Sequence, residues 1–188
     1  MEIYVIRHTT PDVAKGICYG QTNLDVTTTF PEEYQKIHEE ISFDESTQVY
    51  SSPLIRCKKL AKTFGNDITY DNRLMELDFG NWEMQAWNTI PLEEMNPWME
   101  NFVDTKVPQG ESYVQLQQRA MHFFNALEKE TFEKCIVVTH AGVIRALVAH
   151  LQQIPLKDSF AVQLNYGHVL RLEKKDTTFV ITKGLIIK

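Results

Sequence analysis

The sequence predicts a three-layer α/β/α sandwich whose sheet is mainly parallel, with one antiparallel strand. Two unbroken apolar runs, at residues 3–6 and 135–139, are typical of central strands that are covered on both faces. Segments with helical spacing of apolar residues separate the predicted strands, and this alternation indicates a parallel sheet. From residue 167 onward the chain alternates apolar and polar residues as a hairpin does, which supplies the antiparallel strand.

The individual elements follow from the same patterns. Strands are predicted at residues 3–6, 48–51, 68–70 and 135–139, before a final hairpin that turns near Lys175 and Asp176. Helices are predicted at residues 31–41, from Pro53 to Phe64, at 112–130 and at 143–151. Residues 71–111 are less regular, with helical fragments near 82–88 and 91–102. We therefore expect a single domain over residues 1–188.

Charge, hydropathy and cysteine spacing argue against several classes of protein. The chain has 188 residues and a net charge of -6, which argues against nucleic-acid binding. No apolar run approaches the ~20 residues that span a bilayer, and the first residues do not form a leader peptide. The three cysteines are widely spaced, without a CxxC pair, which argues against a disulfide framework or a zinc site. We expect a cytoplasmic protein that binds neither nucleic acid nor membrane.

Charged side chains follow the predicted strands where each strand ends. Ligands of parallel α/β sheets bind beyond these carboxyl ends, so the residues there are candidates for function. They are Arg7 and His8 after the first strand, Ser52 and Arg56 after the second, Glu76 after the third and His140 after the fourth.

This set of residues suits phosphoryl transfer. Arg7 and Arg56 offer forked donors to phosphate oxygens and replace a metal as the source of positive charge. The same arginines disfavour the imidazolium form of His8, so its neutral ring can attack phosphorus. His140, when protonated, can donate to the phosphate. Glu76, close to a phosphate dianion, is expected to hold a proton and to pass it to the departing alcohol.

Several residues allow a second interpretation. Asp78 or Glu83 could replace Glu76 as the acid, and His168 could lie at the pocket rim. Arg145 is expected to be a structural partner of a carboxylate near the site. The three tryptophans, Trp82, Trp87 and Trp98, are candidates either for the core or for stacking on a substrate.

Four motifs together resemble the histidine phosphatase superfamily, which includes the cofactor-dependent phosphoglycerate mutases. They are Arg7-His8, the SPLIR run that ends at Arg56, LMELDFG with Glu76, and VVTHAGVIR with His140. The resemblance implies the sandwich fold and hydrolysis of a small phosphate monoester through a phosphohistidine on His8, without metal or cofactor. It also implies that a variable insertion, here at about 77–111, covers the substrate.

A more specific resemblance is to α-ribazole-5'-phosphate phosphatases, which act in making the nucleotide loop of cobalamin. It is carried by residues 16–26, 51–61, 77–83 and 107–113. It implies a substrate with a base on a ribose 5'-phosphate. Independently of the resemblance, the tryptophans of the insertion would suit stacking on such a base. By the same resemblance, Arg7, Arg56, His140 and Ala141 bind the substrate, together with the backbone of Gly20 and Gln21.

The chain departs from the superfamily beside the nucleophile, where RHTTP stands in place of the common RHGET. Thr9 is expected to bind phosphate through its hydroxyl or its N–H. A broad-specificity phosphatase, a mutase-type phosphotransferase and a non-catalytic phospho-ligand sensor are the alternative functions. The mutase is disfavoured because Lys106 is the one basic residue of 77–110. An isologous homodimer is the default expectation for the assembly.

Overall fold

The computed structural model describes residues 1–176 and 178–187, and its centre is a six-stranded sheet. The strands are β1 (Glu2–Arg7), β2 (Gln48–Ser51), β3 (Ile68–Tyr70), β4 (Lys134–Thr139), β5 (Val169–Lys175) and β6 (Thr178–Lys183). Their order is β3-β2-β4-β1-β5-β6. β3, β2, β4 and β1 run parallel, whereas β5 is antiparallel to both of its neighbours. The predicted sheet, with its single antiparallel strand, is therefore confirmed.

The described part of the chain contains five α-helices. They are α1 (Phe30–Glu40), α2 (Ile55–Ala61), α3 (Leu92–Glu100), α4 (Tyr113–Leu127) and α5 (Ala141–Leu151). The prediction of a helical fragment near residues 82–88 is wrong, because two 3-10 turns, Gly80–Trp82 and Trp87–Thr89, stand there. Met84 lies between them with φ 64°, a left-handed conformation that no α-helix continues through.

The three layers follow from the alternation of side chains along the central strands. Ile3 and Val5 of β1 point to the face that α4 and α5 cover. Tyr4 and Ile6 point to the opposite face, where α1 and α2 pack. Because successive side chains of a strand point to opposite faces, a strand buried on both sides must be apolar at every position.

Residues 77–111 form a smaller apolar cluster beside the main sandwich. Its buried members are Trp82, Ile90 and Val107, which pack around Cys18 from the loop after β1. α3 belongs to this segment and has no buried residue of its own. Within the described ranges, no helix is long and apolar enough to cross a membrane.

Candidate active site

The carboxyl ends of three neighbouring strands bring two histidines and an arginine together. The rings of His8, after β1, and His140, after β4, lie 5.0 Å apart between centroids. Arg56 of α2 reaches both: its Nε is 3.3 Å from His8 Nε2, and its Nη2 is 3.3 Å from His140 Nδ1. All three side chains are buried, so their interactions are screened little by water.

A hydrogen bond to the backbone shows which nitrogen of His8 carries the proton. Its Nδ1 lies 2.7 Å from the carbonyl oxygen of Thr9, which can only accept, so Nδ1 carries the proton. Burial, and then the positive charge of Arg56, holds the pKa of His8 well below its usual value. The ring is therefore neutral, and the lone pair of Nε2 accepts a hydrogen bond from Arg56 Nε.

His140 is also neutral in the free protein. Burial, and then Arg56, holds its pKa well below the usual value. Its Nδ1 faces an arginine nitrogen and must accept, so Nε2 donates to Ser52 Oγ at 2.8 Å. Burial beside a fixed cation disfavours a second charge, so the proton with which His140 could donate to a phosphate is absent from the free site.

Backbone carbonyls fix the position of Arg56. Its Nη2 donates to the carbonyl of Gly20 at 2.5 Å, and its Nη1 donates to that of Thr22 at 2.9 Å. Any Cβ at Gly20 would lie 1.8 Å from the carbonyl oxygen of Leu77, which explains the glycine. The N–H of Gln21 donates to Glu83 at 2.6 Å. The carbonyl of Gly20 and the N–H of Gln21 are therefore used within the protein.

Arg7 is held at the mouth of the site by contacts that the sequence did not predict. Its Nη1 donates to the carbonyl of Leu164 at 2.7 Å, and its Cζ lies 4.0 Å from the ring centroid of Tyr166. Tyr166 in turn is hydrogen-bonded to the hydroxyl of Tyr19 at 2.7 Å. Thr9 is fully buried, and its hydroxyl has no hydrogen-bond partner among the residues that the structure describes.

A cavity of about 260 Å³ opens beside Arg7 and His8. Its other walls are Tyr19, Glu76, Leu77, Phe79, Trp87, Trp98, Phe102, Tyr113, Ala141, Gly142, Arg145 and Phe160. Glu76 is the one carboxylate among these residues. Asp78 caps the turn at Gly80, and Glu83 binds the 20–22 loop, so neither of these alternative acids faces the cavity.

The first turn of α5 holds Glu76 in place. The N–H of Gly142 donates to Glu76 Oε2 at 3.2 Å, and a Cβ at Gly142 would lie 2.2 Å from Oε1. Behind this carboxylate, Arg119 donates to the carbonyls of Met75 and Glu76 at 2.6 and 2.9 Å. Arg119 of α4 was not predicted from the sequence, where it stands as one more polar residue of a helix.

The tryptophans divide between the cavity and the core. Trp87 and Trp98 line the cavity and stack 6.1 Å apart, whereas Trp82 is buried and donates to Glu94 at 2.7 Å. Arg145 also faces the cavity, with its Cζ 4.9 Å from the ring centroid of Phe160. It donates to the carbonyl of Val162 and forms no salt bridge to a described residue, so the expected carboxylate partner is wrong.

His168 lies outside this cavity, because its Nε2 is bound to the carbonyl of Gly184 at 2.6 Å. The described ranges contain no group of three or more histidines, cysteines or acids arranged to hold a metal ion.

Three kinds of comparison relate the chain to known proteins. The family described as "Histidine phosphatase superfamily (branch 1)" matches residues 3–184. A Hydrogenobacter thermophilus protein provisionally named phosphoserine phosphatase 2 is 25% identical over 97% of this chain and 95% of its own. "Probable phosphoglycerate mutase GpmB" of Salmonella paratyphi C is 26% identical over 99% and 91%. The alpha-ribazole phosphatase structure from Shigella flexneri has a TM-score of 0.86, with 21% identity over 100% and 96%.

Proposed function

Because the chain belongs to the histidine phosphatase superfamily, we propose that it is a metal-independent phosphomonoesterase that works through a phosphohistidine on His8. The observation that carries this proposal is the neutral His8, whose unprotonated Nε2 lies 3.3 Å from Arg56 in a site that also contains Arg7 and Glu76. A neutral nucleophile beside fixed cations suits attack on an anionic phosphate.

The reaction has two steps. In the first, His8 Nε2 forms a bond to phosphorus while the bond from phosphorus to the ester oxygen breaks, and Glu76 gives its proton to the departing alcohol. In the second, water attacks the phosphohistidine, the P–N bond breaks, and Glu76 takes the proton of the water. Arg7, Arg56, His140 and the start of α5 at Ala141 hold the phosphoryl oxygens, and a proton on His140 becomes favourable once the dianion is bound.

For the substrate, we propose α-ribazole 5'-phosphate of cobalamin synthesis. The support is the aromatic wall of the cavity, where Trp87 and Trp98 offer faces on which a flat base can stack. The fold also matches that of an alpha-ribazole phosphatase. In this proposal residues 77–111 cover the leaving alcohol. The three free and buried cysteines fit action in the reducing cytoplasm.

The test is phosphate release from four compounds at equal concentration: α-ribazole 5'-phosphate, 3-phosphoglycerate, a mononucleotide and an aryl phosphate. EDTA is present throughout, and His8→Ala is the control. We expect α-ribazole 5'-phosphate to be preferred by orders of magnitude and His8→Ala to be inactive.

The other outcomes separate the alternatives. Similar slow rates that still require His8 would indicate a broad-specificity phosphatase and remove the cobalamin assignment. Formation of 2-phosphoglycerate from 3-phosphoglycerate would indicate a mutase. Activity that survives His8→Ala would overturn the mechanism.

A further inference from the structure

The Glu83 carboxylate makes several hydrogen bonds to the loop after β1, and the proposed reaction assigns no role to this carboxylate. Its Oε1 accepts from the N–H groups of Gln21 at 2.6 Å and Phe79 at 3.3 Å. Its Oε2 accepts from the N–H of Thr22 at 2.6 Å and from the Thr22 hydroxyl. One carboxylate thus satisfies four donors, three of which belong to two consecutive loop residues.

The same loop carries the carbonyls that fix Arg56. The carbonyls of Gly20 and Thr22 accept from Nη2 and Nη1 of Arg56. Thr22 also donates to Glu83, and Gly20 directly precedes Gln21, the other loop residue that donates to Glu83. The loop therefore faces Glu83 with its N–H groups and Arg56 with its carbonyls. Because Arg56 is fully buried and can only donate, its position depends on where those carbonyls are held.

We propose that Glu83 is a positioning residue that, through residues 20–22, holds the Arg56 guanidinium against His8 and His140. Glu83 itself contacts neither histidine and does not line the cavity. Apart from the N–H of Phe79, the donors it binds belong to the loop that holds Arg56. The proposal rests on the phosphatase function for its kinetic test, and it goes beyond that function by linking residues 77–111 to the charged groups of the site.

The first variant is Glu83→Gln, which keeps the shape of the side chain. Each carboxylate oxygen accepts two hydrogen bonds, so an amide in either orientation places its NH₂ group against donors. We expect kcat/KM to fall about tenfold, within the range found for coupled neighbours. Thr22→Val, which removes only the hydroxyl donor, should give a smaller loss in the same direction.

The control is Asp44→Asn. Asp44 accepts from the N–H and hydroxyl of Ser46 at 2.9 and 2.6 Å, so it too binds a loop through a carboxylate, but it has no contact with Arg56. We expect Asp44→Asn to leave kcat/KM unchanged. Melting temperatures of all variants show whether a loss of activity merely follows a loss of folded protein.

A double-mutant cycle separates positioning from a general structural role. In an Arg56→Ala background, Glu83→Gln should change kcat/KM by less than about twofold, because the group through which it acts is gone. A structural role elsewhere would give the same loss in both backgrounds, and that result would overturn the proposal. So would an unchanged kcat/KM in Glu83→Gln alone.

A crystal structure of Glu83→Gln tests the proposal without any activity. We expect residues 20–22 to shift and Arg56 Nε to leave hydrogen-bond distance of His8 Nε2. If the wild-type protein hydrolyses no phosphate monoester, the proposed function fails and this structure still decides the role of Glu83. An undisturbed Arg56 in that structure would overturn the role, whatever the wild-type activity.

Discussion

The charged half of the site and its aromatic half, which lines the cavity, are built in different ways. The charged half stands at the ends of β1 and β4 and the start of α2, and its His8, Arg56 and His140 are buried. They are hydrogen-bonded to backbone carbonyls, to one another or to Ser52. The aromatic half comes largely from residues 77–111, where α3 has no buried residue and exposes Leu92 and Met99. Strand ends and the start of α2 thus carry the charged groups, whereas a 3-10 turn carries Trp87 and the unburied helix α3 carries Trp98.

This difference predicts two kinds of variant. Changes in the charged half should alter the rate for every substrate, since all phosphate monoesters share the reacting group. Changes in the aromatic half should alter the preference between substrates, because leaving alcohols differ in size and shape.

The largest effect within this comparison is expected for Glu76→Gln, which removes the proton donor. We expect kcat to fall by about 10² to 10⁴ for an alkyl phosphate, as for other general acids. The loss should be much smaller for an aryl phosphate, whose leaving group needs no proton. Asp78→Asn is the matched control and should keep the wild-type rate. Equal losses for both kinds of ester would contradict the role of Glu76.

The next largest effect concerns pH, because acid should lower the free energy of unfolding through the buried histidines of the charged half. Burial and Arg56 hold the pKa of His8 and His140 well below the usual value of about 6.5, so in moderately acidic solution the unfolded chain binds protons that the folded protein does not. Above about pH 6.5 both states bind no proton on these histidines, so the free energy of unfolding does not change with pH on their account. Below that pH it falls, by up to about 1.4 kcal/mol per pH unit for each histidine.

Denaturant unfolding at a series of pH values measures this slope. His140→Asn should flatten the slope between about pH 6.5 and about pH 5, because one of the two neutral histidines is gone. The exposed His150 supplies the control, and His150→Asn should keep the wild-type slope. Identical slopes in wild type and His140→Asn would mean that the buried histidine does not set the acid sensitivity.

The smallest effect is expected in the aromatic half. Trp98→Ala should raise KM about tenfold for a substrate with an aromatic base, since base stacking contributes ~1–3 kcal/mol, and should leave KM for a small alkyl phosphate nearly unchanged. Trp82→Ala, in the core, should instead cost about 3–5 kcal/mol of stability. KM values for the two substrates, with melting curves, check both. A KM change that is the same for both substrates would argue against stacking on Trp98.

The charged half was predictable from the sequence because each of its residues follows a recognisable strand or opens a helix. The apolar runs before His8 and His140 place both at one edge, and the Pro53 signal places Arg56 one turn into the next helix. Glu76 lies beyond both β3 and a 3-10 turn (Asn72–Leu74), and its contact with Gly142 at the start of α5 does not follow from strand order. The sequence pattern could not predict the protonation state of His140, because the neutrality of its ring depends on how deeply the ring is buried.

The aromatic half was much less predictable. Which tryptophan is core and which lines the cavity depends on two 3-10 turns and the left-handed Met84, and none of these has a periodic signal. The part played by Glu83 depends on a contact across 61 positions with Thr22. Arg145 has helical spacing with apolar neighbours, yet it faces the cavity, because α5 begins directly after His140 and turns this position toward Phe160.

The central claim is that His8 takes the phosphoryl group, and the most direct measurement is a search for that covalent intermediate. The protein is mixed with an aryl phosphate, quenched rapidly in alkali, in which phosphohistidine survives, and its intact mass and peptides are determined. We expect a single phosphoryl group on the peptide that contains His8, and none in His8→Ala. Turnover without any phosphorylated protein, or a phosphoryl group that remains in His8→Ala, would contradict the account.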